Sequence, residues 1–249
     1  MMKIVAIYSS KGGVGKTATA VNLSYRLSHL GKKTLLCDLD SQGAAGYYFR
    51  IRPPKKLHRK KLLKGKFNKF IRGTDYQNLD LLPSHLSFRN LDLALDHSLA
   101  KDKKTILKSI FEPLAEEYDV MVLDCPPNLT LLSENIFRAA DVIVTPVIPT
   151  TLSIRSLKQL LKMFEKLDLP KEKIAPFFSM VEKRKRLHCE IMNKYSRYKF
   201  FLKTAIPFTT YVERMGVDRC PVAVSNPHSD IEQMYGKLQM EVWKRSRIT

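Results

Sequence analysis

No apolar run in this 249-residue sequence is long enough to cross a bilayer, and no signal-peptide pattern precedes the first candidate strand. A cytosolic protein is expected. Cysteine is scarce: Cys37, Cys125, Cys189 and Cys220 form no C-x-x-C pair and have no metal-ligand spacing, which leaves them as reduced thiols. No internal repeat and no linker interrupts the chain, so one α/β domain over residues 1–249 accommodates it. Acidic residues are few. Only 24 Asp+Glu stand against 43 Lys+Arg, a net charge of +19, which favours polyanionic partners such as nucleic acid or an anionic membrane surface.

The positive charge is unevenly spread. Eleven basic residues lie between Arg50 and Arg72 (Arg50, Arg52, Lys55, Lys56, Arg59, Lys60, Lys61, Lys64, Lys66, Lys69, Arg72) with no acidic residue among them. A second cluster is Lys183, Arg184, Lys185 and Arg186. Residues 51–74 look like an insertion or an enlarged loop. If the two stretches share a face, they form a surface that tracks phosphates and binds DNA of any sequence, because backbone contacts carry no base information.

Strand-like runs alternate with helical ones, which predicts a doubly wound α/β fold with a mainly parallel sheet covered on both faces. The strands are expected at Lys3 to Tyr8, Thr34 to Cys37, Leu79 to Leu82, Val120 to Leu123, Val142 to Val147, Pro176 to Val181 and, more weakly, Phe201 to Ile206. Helices are expected at Lys16 to Leu30, Phe88 to Leu99, Lys104 to Glu117, Leu131 to Ala139, Ser153 to Leu167, Leu187 to Tyr198 and Asp230 to Trp243.

Between the first strand and the first helix stands Ser9-Ser-Lys-Gly-Gly-Val-Gly-Lys-Thr17. The ordinary phosphate loop reads G-x-x-x-x-G-K-[ST]: backbone N–H groups cradle phosphates, the Lys reaches the β/γ-phosphates and the hydroxyl serves Mg²⁺. Gly15, Lys16 and Thr17 fit, while Ser10 replaces the opening glycine. Lys11 is an additional charge that a one-subunit cradle does not need, so its ammonium calls for another anion, such as the phosphates of a facing subunit. Two carboxylate strings follow later strands: Asp38-Leu39-Asp40-Ser41-Gln42-Gly43, and Asp124-Cys125-Pro126-Pro127 at the end of an apolar strand. A carboxylate held on a rigid strand beside phosphates suits a hard cation, and Asp124 is the candidate. Asp38 and Asp40 have a plainer reading as caps of the turn that follows them.

With these strings the chain resembles the deviant Walker-A ATPases, the group containing ParA, Soj and MinD, and within it the short ParA-like proteins without an N-terminal helix-turn-helix domain. The resemblance covers nearly all of the chain except roughly 51–74. It implies a P-loop NTPase fold, an ATPase activity, and ATP and Mg²⁺ as cofactors. Nucleotide contacts would come from Lys11, Gly12, Gly13, Val14, Gly15, Lys16, Thr17, Ala18 and Pro207, and the metal would lie near Thr17, Asp38 and Asp124. Lys11, Lys16 and Asp40 would be catalytic, with Asp40 positioning the attacking water. The resemblance further implies an ATP-state homodimer, non-specific DNA binding (here through Lys183, Arg184, Lys185 and Arg186), a ParB-like or other stimulating adaptor, and a cytoplasmic, nucleoid-associated location. Departures occur at Ser41, where the family has proline, and at Phe208, where it has arginine. Ser179 is a weaker candidate for a base contact.

Other classes share parts of this pattern. A cobyrinic acid synthase-like ligase has the same fold, but the basic surface and the lack of a glutaminase-like extension argue against it. Nitrogenase-type iron proteins need a cysteine pair that Cys125 alone does not supply. A MinD-like membrane switch would use the last helix, where Ile231, Met234, Tyr235, Leu238 and Val242 line one face ahead of Lys244, Arg245 and Arg247. Such a helix more often packs on the sheet, so membrane binding is not expected.

Overall fold

A computed structural model describes residues 2–98, 100 and 102–248. Strand β1 (Lys3–Ile7) runs through the glycine loop into α1 (Lys16–His29), and β2 (Thr34–Asp38) is followed by α2 (Ala44–Tyr48) and α3 (Arg59–Leu63). Next come the two-residue β3 (Arg72–Gly73), β4 (Leu79–Leu82), α4 (Leu91–Asp96), α5 (Ile106–Phe111), β5 (Val120–Asp124) and α6 (Leu131–Ala139). The chain then forms β6 (Val142–Val147), α7 (Thr151–Lys166), β7 (Ile174–Phe178), α8 (Arg186–Tyr195), α9 (Thr210–Asp218), α10 (Val222–Ser225) and α11 (Asp230–Ile248).

The sheet order is β3-β4-β2-β5-β1-β6-β7, with every pair parallel except β3 against β4. Strand alternation feeds two separate cores. Ile4, Ala6, Leu35, Met121, Leu123 and Ile143 face helices α3 to α8, whereas Val5, Ile7, Leu36, Val120, Val122 and Val144 face α1, α9 and α11. Burial on both faces explains why these strands read as continuous apolar runs. The doubly wound expectation therefore holds. Register brings the carboxylates together: Asp124 at the end of β5 stands between Ile7 of β1 and Asp38 of β2, all at the C-terminal edge of the sheet.

Several elements differ from the sequence expectation. The strand expected over Phe201 to Ile206 is not formed; this stretch lies along β7 through Leu202 N–H to Pro176 O (2.8 Å) and Ile206 N–H to Phe178 O (2.8 Å), with an isolated bridge between Val181 and Pro207. Strand β7 itself stops at Phe178 because the backbone turns left-handed at Met180 (φ 53°), short of the expected Val181. The helix expected over Phe88 to Leu99 is a 3-10 turn at Leu86–Asn90 followed by α4; Leu99 lies outside the described residues. The one expected over Lys104 to Glu117 divides into α5 and a 3-10 turn at Glu112–Glu116, where Pro113 has no N–H to continue an α ladder. Helix α9 was not expected, since only Met215 within it is buried.

The stretch 51–74 is not a loose loop. It contains α3 and β3, and Leu57, Leu62, Phe67 and Phe70 are buried in the same core as Phe88, Leu95 and Phe111. Leu62→Ala is expected to lower unfolding free energy by about 2–5 kcal/mol in denaturant titrations, the range for a truncated core leucine. A change near zero would mean that this segment adds nothing to the fold.

The face of α11 considered for membrane contact is occupied: Ile231, Tyr235, Leu238 and Val242 are buried in the core beside α1, and an Arg26–Glu232 ion pair ties the two helices. The side chain of Arg247 lies outside the described residues. Among those residues no helix is long and apolar enough to cross a membrane.

Candidate functional site

The loop from Ser9 to Thr17 closes over the C-terminal edge of the sheet. Gly13 and Gly15 take left-handed backbone (φ 67° and 89°), and a Cβ on Gly15 would meet Ser179 Oγ at 3.3 Å. Above Gly12 and Gly13 the space is open. Helix α1 starts without a capping side chain and without an acidic residue in its first turn, so its leading N–H groups are available to an anion. This is the geometry that the string of glycines suggested. Ser179 stabilises it: its buried hydroxyl donates to Val14 O (3.0 Å), so this residue braces the loop against β7 and its proton is committed there, away from a base contact.

The two lysines of the loop sit differently. Lys16 is buried, with its ammonium 3.5 Å from Lys11 O inside the loop. Lys11 is half-buried, and its ammonium donates to Ser153 Oγ (3.2 Å) on the first turn of α7. Ser153 is itself within 3.2 Å of Thr150 Oγ1, the N-cap of that helix. The Lys11 ammonium therefore rests on a hydroxyl of its own chain. Thr150 and Ser153 were not singled out in the sequence, although a threonine three residues ahead of a serine at a helix start is a recognisable cap.

Asp124 is fully buried, and neither carboxylate oxygen has a hydrogen-bond partner. Burial pushes its carboxyl up to about 7, with the nearby Asp40 charge adding to the rise; the Thr17 hydroxyl, close but outside hydrogen-bond geometry, and the Lys16 ammonium oppose it. An orphaned buried carboxylate is costly unless something charged completes it. A hard cation with phosphates and water in its remaining positions fits this donor set of Asp124 and Thr17, and Mg²⁺ is commonly bound by only one or two carboxylates.

Asp38 is used differently. Its Oδ1 accepts Asp40 N–H (3.1 Å) and its Oδ2 accepts Ala45 N–H (3.1 Å), so both oxygens shape the turn between β2 and α2. Burial, together with the neighbouring Asp124 and Asp40 charges, holds its carboxyl well above the usual range. These two hydrogen bonds are those of a turn cap. Asp40 is half-buried at the mouth of the site, with Oδ1 accepting Gln42 N–H (3.0 Å).

Beside Gly15 lies an apolar crevice between Ala18, Met180, Ile206, Pro207, Phe208 and Val212. Of these residues only Ala18 and Pro207 are among the expected nucleotide contacts. Met180 and Val212 come from a loop and from α9, which local sequence did not connect to the site.

Lys183, Arg184, Lys185 and Arg186 are exposed at the start of α8. Lys185 pairs with Glu182 (2.5 Å) and Arg186 with Glu190 (2.8 Å). Cations crowded at the positive end of a helix dipole are unfavourable unless an anion joins them. The two basic stretches lie at opposite ends of the strand order: α8 follows β7, whereas 51–74 supplies β3, six strand spacings or on the order of 30 Å away.

Comparison with known proteins agrees with this geometry. A family model described as AAA domain matches residues 2–175. The sporulation initiation inhibitor protein Soj of Bacillus subtilis is 31% identical over 254 residues, covering 97% of this chain and 98% of Soj. Among solved structures, a plasmid partition protein from Borrelia burgdorferi B31 bound to AMPPNP superposes with a TM-score of 0.82 at 25% identity, covering 98% of this chain and all of the other. The septum site-determining protein MinD of Pyrococcus horikoshii, at 22% identity and a TM-score of 0.79, shares the fold and covers 100% of this chain and 98% of its own. Similarity over this much of the sequence, joined to a phosphate loop with its glycines and buried lysine in place, makes this chain a member of the AAA-domain family and a P-loop ATPase of the Soj and ParA type.

Proposed function

We propose that the ATPase is a nucleotide-gated positioning switch. ATP-bound subunits pair face to face, the pair binds duplex DNA without sequence preference through the Lys183–Arg186 cluster, and hydrolysis stimulated by a ParB-like or other adaptor disperses it. Cycles of this kind would segregate a plasmid or chromosome region, or position a protein assembly, on the nucleoid in the cytoplasm. The observation that carries this reading is the pair of lysines on one loop. Lys16 is already inside the cradle, so Lys11, whose ammonium rests on the Ser153 hydroxyl, is available to a second set of phosphates.

The residues divide the work accordingly. Backbone N–H groups from Gly12 to Thr17 hold the phosphates, Lys16 neutralises the β/γ oxygens, and the crevice at Pro207 takes the base. Thr17 and Asp124 would hold Mg²⁺, which when bound neutralises phosphate charge. Asp40, oriented by the Gln42 N–H, orients the attacking water, and Lys11 of the facing subunit stabilises charge on the transferred phosphoryl group. Asp38 fixes the turn that carries Asp40.

Asp40→Ala tests the cycle. Static light scattering with ATP should show dimers that persist, while phosphate release falls on the order of 10²-fold, the scale of a lost water-positioning group. Wild-type protein that scatters as a monomer in ATP, ADP and nucleotide-free buffer alike would refute the switch.

A further inference from the structure

Arg59, Lys60, Lys61, Lys64, Lys66, Lys69 and Arg72 stand within fourteen residues, and among the described residues no carboxylate lies within 4 Å of any of them. Lys60, Lys64, Lys66, Lys69 and Arg72 are exposed. Like charges at this density repel one another and belong, in most proteins, to mobile tails. Here they are fixed. Leu62, Phe67 and Phe70 anchor the segment in the core, Lys61 and Lys69 lie over the Phe70 ring (5.1 and 5.5 Å), and β3 pairs with β4. A backbone anchored in this way holds exposed cations that no carboxylate neutralises, which suits an extended anion.

We infer that residues 59–72 form a second polyanion-binding surface, which takes the phosphate backbone of duplex DNA in every nucleotide state and is separate from the nucleotide-gated contact at α8. The gated contact rests on the proposed function; this one does not. Every group in it belongs to one subunit, and none of Lys11, Lys16, Asp40 or Asp124 contributes. The constitutive contact keeps a dispersed subunit near DNA, and the gated one adds to it when ATP is bound. A lipid surface fits less well: membrane-seeking basic segments carry an apolar side chain to insert, and no large apolar residue between 59 and 72 is exposed.

The test is fluorescence anisotropy with a labelled random-sequence duplex, titrated without nucleotide, with ADP and with ATP. Nucleotide-free wild type should bind, and five phosphate contacts predict a loss of roughly 500-fold between about 50 and 200 mM salt. Lys60→Glu/Lys64→Glu/Lys66→Glu should remove this binding by at least about tenfold, with the milder Gln triple intermediate and unfolding midpoints unchanged. Lys183→Glu/Arg184→Glu should leave it intact. The inference falls if nucleotide-free wild type does not bind, if only the α8 variant abolishes nucleotide-free binding, or if anionic phosphatidylglycerol vesicles are captured through Lys60, Lys64 and Lys66 while duplex is not. Dimerisation and hydrolysis, followed in parallel, separate the two ideas: their absence with nucleotide-free DNA binding retained refutes the switch alone, and their presence with binding confined to ATP refutes the constitutive surface alone.

Discussion

Lys16→Ala lowers ATP affinity by roughly two to four orders of magnitude in calorimetric titration, while leaving the fold intact. The expectation follows from where the ammonium sits. It is buried inside the loop, where it reaches the Lys11 carbonyl at 3.5 Å and lies near the Asp124 carboxyl, and the phosphate chain of the nucleotide would be the more highly charged anion it meets there. Removing one partner of a buried charge pair costs about 3–5 kcal/mol because the other charge remains unpaired. Helix α1 does not depend on this side chain, since alanine is the stronger helix former, so the melting temperature without ATP should change little. Thr17→Ala is a useful contrast: it keeps the ammonium and removes one cation ligand, so its defect should depend on Mg²⁺ concentration. Wild-type ATP affinity in Lys16→Ala would overturn the placing of the phosphates.

The parts of this site that the sequence discloses are those in which a ligand-binding group lies next to its own strand. Ser9 to Thr17, Asp38 to Gly43 and Asp124 to Pro127 each follow an apolar run, so the edge of the sheet they share can be read locally. What joins them cannot. The register that sets Asp38 beside Asp124 depends on β2 and β5 pairing across 86 positions of chain, and the Lys11–Ser153 contact spans 142. Asp38 illustrates the difference: the turn it caps at Asp40 and Ala45 is readable from its type and position, while its neighbour Asp124 across the β2–β5 pairing becomes visible only in three dimensions. In residues 51–74 the difficulty is spacing. Leu57, Leu62, Phe67 and Phe70 follow neither a period of 2 nor of 3.6, because they belong to a helix, a 3-10 turn and the links between them. High charge density hid their common burial. Helix α9 escaped for the opposite reason, having too little buried surface to show a period at all.

Lys11→Ala should separate nucleotide binding from its consequences. ATP affinity is expected to stay within about tenfold of wild type, because the cradle keeps Lys16 and the backbone N–H groups, whereas ATP-dependent dimers disappear from light scattering. Hydrolysis should fall on the order of 10³-fold, the lower end of what a cation supplied in trans contributes to phosphoryl transfer. A plainer role competes with this one: the Lys11–Ser153 hydrogen bond could serve only to brace the loop against α7. The two roles predict different behaviour for Ser153→Ala. If bracing is all that Lys11 does, losing either partner breaks the same contact, and both variants should lose dimerisation to the same degree. If Lys11 acts across the interface, the Ser153 hydroxyl is only its resting partner, worth about 1.5–3 kcal/mol as a hydrogen bond to a charged group. Freeing the ammonium from it would then leave dimerisation at least as strong, and shift half-maximal pairing to lower ATP. Matched loss in both variants, or normal dimers in Lys11→Ala, would make Lys11 a structural residue of the loop.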